Sequence, residues 1–386
     1  MTRPLSGVRV LDLSRVVAGP FAGRMLSDLG ADVVKVEPPE GDVARVWGEQ
    51  RHGVSGFFQQ QNAGKRDVCI DMRAEGSIGL VIALAAHADI VVENFRAGVM
   101  RRLGLDWTVL SAANPKLVMC SISGFGHDGP DSERAAYAPV IQAESGLVDR
   151  QAEFDGVVPA DPMLSIADYN AGLHGLVAIL SALRMAEKSG LGSWIDLAMV
   201  DAMLATDDYV HHSIDGSAVD RLGGTYCQAG DGTWLLIASP MKHLWRVVSS
   251  LGITVDIAPD APLAERLAER KAAIHAWAQS HPTTADLKRV LDSMNVAWGD
   301  VRTMEQAIAS PTAAHRGVVV QVDDRSGSGS TRGVIQSPYR FSAWESGVTG
   351  GAPRRGEHNV SVLTDWLGID AMEIASLVQR GVLLAE

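Results

Sequence analysis

Ser165-Ile166-Ala167-Asp168 opens a long apolar stretch and fits the pattern in which a Ser caps a helix and an acidic side chain lies three positions inside it. A carboxylate in the first turn sits at the positive end of the helix dipole, which keeps it ionised. An ionised carboxylate within reach of a substrate can act as a nucleophile and form covalent intermediates. By pattern alone Asp168 reads as a structural cap, with the chemical role as the alternative. Gly124-Phe125-Gly126-His127-Asp128-Gly129 follows a strand-like run and matches G-x-G-x-x-G, the turn that cradles a dinucleotide pyrophosphate. Pro130-Asp131-Ser132-Glu133 then reads as loop and not as the helix such a site opens, so a plain glycine turn is the better reading. His211-His212 lie near Asp207-Asp208, but neighbours on a helix point about 100° apart and rarely share one metal ion.

A rigid frame must position these residues, and the hydrophobic pattern supplies one. Short β-rich runs at 8–13, 33–36, 68–70, 90–92 and 117–122 read as buried strands. Helical patterns lie between them, one starting after Gly19-Pro20 and ending near Gly30, another at 78–86. This rhythm predicts a doubly wound, Rossmann-like α/β domain with a mostly parallel sheet covered on both faces. Leu173, Leu176, Val177, Leu180 and Leu183 recur at helical spacing within 167–188, a long helix closed by Ser189-Gly190-Leu191-Gly192. A strand at 194–197, a helix at 200–212 and a loop at 215–224 follow. A strand at 234–238 with helices at 243–251, 264–279 and 285–294 predicts a smaller α+β domain. Arg325-Ser326-Gly327-Ser328-Gly329-Ser330 reads as a flexible hairpin or linker, and 359–367 and 372–380 as terminal helices. The expected organisation is a large domain over 1–220, a small one over 221–330 and a segment over 331–386 that returns to the first.

Composition narrows the function. A formal charge of −12 argues against non-specific nucleic-acid binding, so any phosphate must meet a local basic pocket. Cys69, Cys120 and Cys227 are far apart and in no metal-type spacing, which argues against a disulfide framework or zinc site and for a reducing cytoplasm. Met1-Thr2-Arg3-Pro4-Leu5 lacks the features of a signal peptide, and no apolar run approaches the ~20 residues that span a bilayer, so no membrane partner is expected.

Motifs along nearly the whole chain resemble the class III CoA-transferases of the CaiB/BaiF type, whose members include formyl-CoA:oxalate and carnitine CoA-transferases and a racemase branch. The resemblance rests on Leu5-Ser6-Gly7-Val8-Arg9-Val10-Leu11-Asp12-Leu13-Ser14, Ala18-Gly19-Pro20, Leu29-Gly30-Ala31-Asp32-Val33-Val34-Lys35-Val36-Glu37-Pro38, Glu93-Asn94-Phe95-Arg96-Ala97-Gly98, and Ser123-Gly124-Phe125-Gly126 with Gly129-Pro130. It implies that Asp168, in Ile166-Ala167-Asp168-Tyr169-Asn170-Ala171-Gly172, is the acyl-accepting nucleophile. It places CoA contacts at Arg15, Val17, Ala18, Met72, Arg73, Asn94, Phe95, Arg96, Arg102, Arg134 and Tyr137. Arginine forks suit the phosphates of CoA.

The resemblance implies a CoA-transferase that moves CoA from an acyl-CoA to a small carboxylic acid through an aspartyl anhydride and an aspartyl-CoA thioester. Backbone N–H groups at the helix start or in the Gly124 to Gly129 loop would serve as oxyanion donors. No prosthetic group is implied, CoA thioesters being substrates, and the assembly implied is an interlocked homodimer. Three positions depart from the pattern. Val17 replaces a glutamine and Pro38 an arginine of the oxalate-using enzyme, which points away from oxalate, and Tyr137 replaces the histidine of the racemase branch. The glycine lid is reduced to Gly223-Gly224. An α-methylacyl-CoA racemase and a non-catalytic CoA-binding protein stand as alternatives.

Overall fold

The computed structural model describes residues 2–217, 224–258 and 260–384. The chain divides into two units, Met1–Asp208 with His315–Glu386, and Tyr209–Ala314.

In the first unit the elements run β1 (Arg9–Asp12), α1 (Ala18–Asp28), β2 (Asp32–Glu37), β3 (Gln50–Arg51), β4 (Val54–Ser55), α2 (Gly56–Asn62), β5 (Arg66–Cys69), α3 (Ser77–Ala86) and β6 (Ile90–Glu93). They continue α4 (Val99–Leu103), α5 (Trp107–Ala113), β7 (Val118–Ser123), α6 (Ala138–Glu144), α7 (Leu147–Asp155), α8 (Ile166–Ser189), β8 (Ser193–Ala198) and α9 (Met199–Thr206). Six strands form one sheet in the order β5-β2-β1-β6-β7-β8, every neighbouring pair parallel. Parallel strands need covered faces, and both are covered. Leu11, Val34, Val91 and Met119 pack with α3 residues Val81 and Leu84, while Val10, Val33, Ile90 and Val118 pack with Met25 and Leu26 of α1 and Leu176 and Ile179 of α8. The chain runs outward from β1 to β5 on one side and from β6 to β8 on the other. The order therefore reverses between β1 and β6, and such a switch point opens a crevice at the carboxyl ends of those two strands.

In the second unit, α10 (Val210–Asp215) precedes β9 (Thr225–Gln228), β10 (Trp234–Ile237), α11 (Met241–Ser249), α12 (Leu263–Gln279), α13 (Thr284–Ser293), β11 (Trp298–Asp300) and α14 (Met304–Ile308). Its antiparallel sheet, in the order β11-β10-β9, packs Leu235 and Ile237 against Leu244, Ile274 and Leu287. After α15 (Pro311–His315), β12 (Val319–Asp323) and β13 (Thr331–Ile335) form a hairpin whose turn holds the Ser-Gly run, and α16 (Asn359–Leu367) and α17 (Ala371–Gln379) close the chain.

The divisions fall after Asp208 and Ala314, short of positions 220 and 330. Packing moves the second one: Val322 and Val334 of the hairpin bury against Ala63, just past α2, which ties 319–335 to the first unit. The single helix expected over 200–212 is two helices, because the chain leaves helical geometry at Asp207.

The expectation that no apolar stretch approaches the length of a bilayer meets one exception among the described residues. The 24-residue α8 is long and apolar enough, by length and composition, to cross a bilayer. Polar residues scattered through it hide this in a simple run count. In the fold its Ala167, Ala171, Gly175, Leu176, Ile179 and Leu183 are buried in the core beside β7 and β8.

Candidate active site

Asp168 sits in the first turn of α8, but it does not cap that helix. Ser165 makes no side-chain cap bond. Gln142 of α6 does the capping instead, its Oε1 accepting the Ala167 N–H at 3.3 Å. The Asp168 carboxylate faces the backbone N–H groups of Ala18 and Ala138, both of which lower its pKa. Ala18 is the first residue of α1 and Ala138 the first of α6, so the starts of three helices meet at one carboxylate. Such N–H groups have no partner within their own helices and favour an anion. Burial acts the other way and prevails, pushing the Asp168 carboxyl up to about 6 although both N–H bonds lower it. Asp168 as a residue is only partly buried.

Close packing makes this convergence possible. A Cβ built on Gly172, one turn beyond Asp168, would lie 2.8 Å from the Ala18 carbonyl oxygen and 2.8 Å from Phe21, so only glycine lets α1 approach α8 this closely. A Cβ on Gly19 would overlap the Ser14 side chain, where the loop after β1 folds over the start of α1. Buried charges at the strand ends fix that loop. Lys35 donates to the Ser14 carbonyl at 2.7 Å and pairs with Asp42 at 3.0 Å, and Lys65 bonds Asp12 at 2.7 Å and the Pro20 carbonyl at 2.8 Å. Each ion is paired and hydrogen-bonded, as burial requires.

Of the residues assigned to CoA, Arg15, Met72, Arg73, Asn94 and Phe95 gather at the switch point. Asn94, just after β6, accepts the Arg15 N–H at 2.8 Å and donates to the Arg15 carbonyl at 2.8 Å, a two-bond clasp between the loops that follow β1 and β6. Arg15 places its guanidinium 5.5 Å from the Phe95 ring centre. Arg15, Phe95, Met72 and Arg73 line a cavity of about 300 Å³, with Pro38 in its wall. Arg73 pairs with Asp71 at 2.7 Å and Glu40 at 2.9 Å, so its charge is already balanced. Val17 is buried at the start of α1, and its side chain belongs to the fold more than to a pocket. Arg96 and Arg102 are exposed and outside the cavity lining. Arg134 pairs with Glu144 and Asp131 and lies 4.6 Å over the Phe125 ring. Tyr137, 60 % exposed, directly precedes the Ala138 that binds Asp168.

The glycine run is no dinucleotide turn. Gly124 packs so tightly against Ala136 that a Cβ would overlap it, and the next helix of the unit, α6, begins only at Ala138. The backbone N–H groups that act on the Asp168 carboxylate belong to Ala18 and Ala138, at the starts of α1 and α6. Gly224 directly precedes β9, where a Cβ would press on Leu236 and the Ile237 carbonyl, while Gly223 lies outside the described residues.

Pattern reading missed α6 and with it Ala138 and Gln142, although Ala138-Pro139 is a helix-start signal. It also missed the partners of His127, which meets Asp196 at 2.9 Å and Glu93 at 3.7 Å. Burial would lower the His127 pKa, but these two carboxylates raise it.

The family model of CoA-transferase family III matches residues 5–359. The chain belongs to that family. It is thus a family III CoA-transferase, an enzyme class whose substrates are CoA thioesters. The succinate–glutarate CoA-transferase of Agrobacterium fabrum is 33 % identical, the match covering 94 % of this chain and 95 % of the relative. The succinyl-CoA–D-citramalate CoA-transferase of Chloroflexus aurantiacus is 31 % identical, covering 99 % and 98 %. Among solved structures, a CaiB/BaiF family protein from Brucella suis superposes with a TM-score of 0.78 at 32 % identity, covering 95 % of this chain and all (100 %) of that one.

Proposed function

We propose that this CoA-transferase moves CoA from an acyl-CoA to a small dicarboxylic acid, with Asp168 as the nucleophile. The observation that carries the reading is the Asp168 carboxylate itself, on a partly buried residue and facing the N–H groups of Ala18 and Ala138. One Asp168 oxygen attacks the thioester carbonyl carbon, the C–S bond breaks, and CoA thiolate leaves behind a mixed anhydride. The thiolate then attacks the Asp168 carbonyl carbon and expels the donor acid, giving an aspartyl-CoA thioester. The acceptor carboxylate runs the two steps in reverse: it displaces the thiolate as a new anhydride, and the thiolate takes the acceptor's acyl carbon and frees Asp168. Each tetrahedral centre carries an oxyanion, and the N–H groups already aimed at the carboxylate are placed to receive it.

Arg15, Met72, Arg73 and Phe95 are assigned to the nucleotide half of CoA, in the switch-point cavity, with Asn94 holding its mouth. Ala18 acts through its backbone, and Val17 is the buried residue that precedes it. Arg96, Arg102, Arg134 and Tyr137 are assigned to the rim. Gly223 and Gly224 are assigned to closure over the intermediates. A dicarboxylic acceptor is favoured because the Agrobacterium and Chloroflexus relatives carry succinate, glutarate and citramalate in their names. The proposed assembly is a homodimer: Leu173, Val177 and Met185 leave an exposed apolar stripe along α8 that a second copy would cover.

The test is covalent trapping. Incubation with succinyl-CoA followed by hydroxylamine or borohydride should mark Asp168 in the peptide map. Full exchange activity in Asp168→Ala, or a mark on another residue, would falsify the mechanism. Deuterium wash-in at the α-carbon without exchange would favour the racemase.

A further inference from the structure

A second cavity, of about 510 Å³, has Tyr169 in its wall, the residue next to Asp168. Two of its walls are apolar, Trp47 and Phe57, whose rings meet edge-on at 5.1 Å. The polar part is Arg332 of β13, Arg51 of β3 with its neighbour Glu49, Gln60 and Gln61 of α2, and the Tyr169 side chain. Sequence pattern singled out neither arginine.

Arg332 is half-buried and donates one Nη1 bond, to the Val54 carbonyl at 3.0 Å. Its Nη2 lies 3.6 Å from where a Cβ on Gly56 would stand, and among the described residues that nitrogen has no hydrogen-bond partner. Burial, and then the like charge of Arg51, hold the Arg332 pKa below its ordinary value, outweighing the pull of Asp324 and Glu49. Arg51 is 64 % exposed and paired with Glu49 at 3.3 Å, whereas Arg332 has no ion pair within 4 Å among the described residues. Gln61 is 1 % exposed and donates its amide N–H to the Tyr169 hydroxyl at 2.8 Å, while its own Oε1 has no hydrogen-bond partner among the described residues. The Tyr169 phenol is raised first by burial and also by the charge on Asp168, so its hydroxyl lies in the field of the proposed nucleophile.

We propose that this cavity binds the far carboxylate of a dicarboxylic acid, with Arg332 as its principal ligand and the methylene chain lying along the wall formed by Trp47 and Phe57, toward Asp168. The proposal rests on the transferase reading for the direction of the near carboxylate. A monocarboxylic acid of the same length would leave the Arg332 fork unpaired in a partly desolvated wall, and a site built around a charge rejects the analogue that lacks the counter-charge.

The experiment compares malonate, succinate and glutarate with propanoate, butanoate and pentanoate as acceptors from one donor thioester. In Arg332→Gln the KM of the best dicarboxylate should rise about tenfold or more with kcat within about threefold, while monocarboxylates move less than about twofold. Arg332→Lys should fall between, and Arg51→Gln should give a smaller rise because Glu49 already offsets that charge. Titration calorimetry of the same acids on wild type, Arg332→Lys and Arg51→Gln gives a readout independent of turnover and of the Gln variant's folding. Equal losses for both acid classes, or dicarboxylate binding that ignores both arginines, overturns the subsite. If Asp168 fails to trap an acyl group while glutarate binding still depends on Arg332, the nucleophile falls and the subsite stands. If Asp168 is trapped but the two acid classes are not discriminated, the subsite falls and the nucleophile stands.

Discussion

The Asp42 carboxylate accepts the backbone N–H of Val16 at 3.1 Å, and Val16 stands at φ 72°. A β-branched residue in the left-handed region is strained by about 1–3 kcal/mol and persists only where its surroundings hold it there. Here the holder is itself fixed, since Asp42 pairs with Lys35 and Lys35 in turn grips the Ser14 carbonyl. Two residues beyond Val16 comes the Ala18 N–H that meets Asp168. The strain thus aims a donor.

Val16→Gly should relieve the strain and change stability by no more than about 1 kcal/mol. Asp42→Ala should cost roughly 3–5 kcal/mol, because it leaves Lys35 buried without its nearest counter-charge. Urea melts of the two variants check this; equal losses would refute the role given to Asp42.

Gly172→Ala forces a methyl into the space held by the Ala18 carbonyl and Phe21. The expected cost is about 1–3 kcal/mol of stability. A drop in kcat of about a hundredfold should accompany it, since a donor displaced by about 1 Å loses that much. CoA affinity should change little, because the switch-point cavity lies on other loops. Stopped-flow acylation and equilibrium CoA binding separate the two effects.

Asp168, lifted to about 6 by burial, binds a proton in the folded chain that the unfolded chain has already released between its ordinary value of 3.8 and 6. Stability therefore falls as pH rises through that window, while activity rises as the nucleophile ionises. Single-turnover acylation should show one acidic limb with its midpoint near 6, and the limb should survive in His127→Gln. A midpoint near 4 would place the carboxylate in water.

Removing the charge removes its desolvation cost. Asp168→Asn should melt higher than wild type at pH 7, by roughly 2 kcal/mol of stability, while losing exchange activity. Calorimetry at pH 4 and 7 should show the gain only at the higher pH.

Asn94→Ala opens the two-bond clasp on Arg15. Two lost bonds of about 1 kcal/mol each predict an increase of about tenfold or more in KM for the acyl-CoA, with smaller change in kcat. A kcat effect alone would count against a binding role.

Local sequence was enough for the parallel sheet and the long helix through Asp168. These follow from apolar periodicity, which each segment carries in its own residues: 90–92 reads as a buried strand and becomes β6, and Leu176, Leu180 and Leu183 mark α8. The family motifs also pointed to Arg15, Asn94 and Phe95, and the fold brings them to one crevice. What Asp168 touches depends on the assembled fold. Its partners, Ala18 and Ala138, are ordinary alanines 150 and 30 positions upstream, and they matter through their backbone N–H groups, which leave no trace in side-chain type. The cap at Ser165 was misread for the same reason: a local pattern cannot tell that Gln142, on another helix, reaches the site first. Arg332 and Tyr169, 163 positions apart, meet in one cavity because the hairpin packs on the α2 region, a contact that no local pattern encodes.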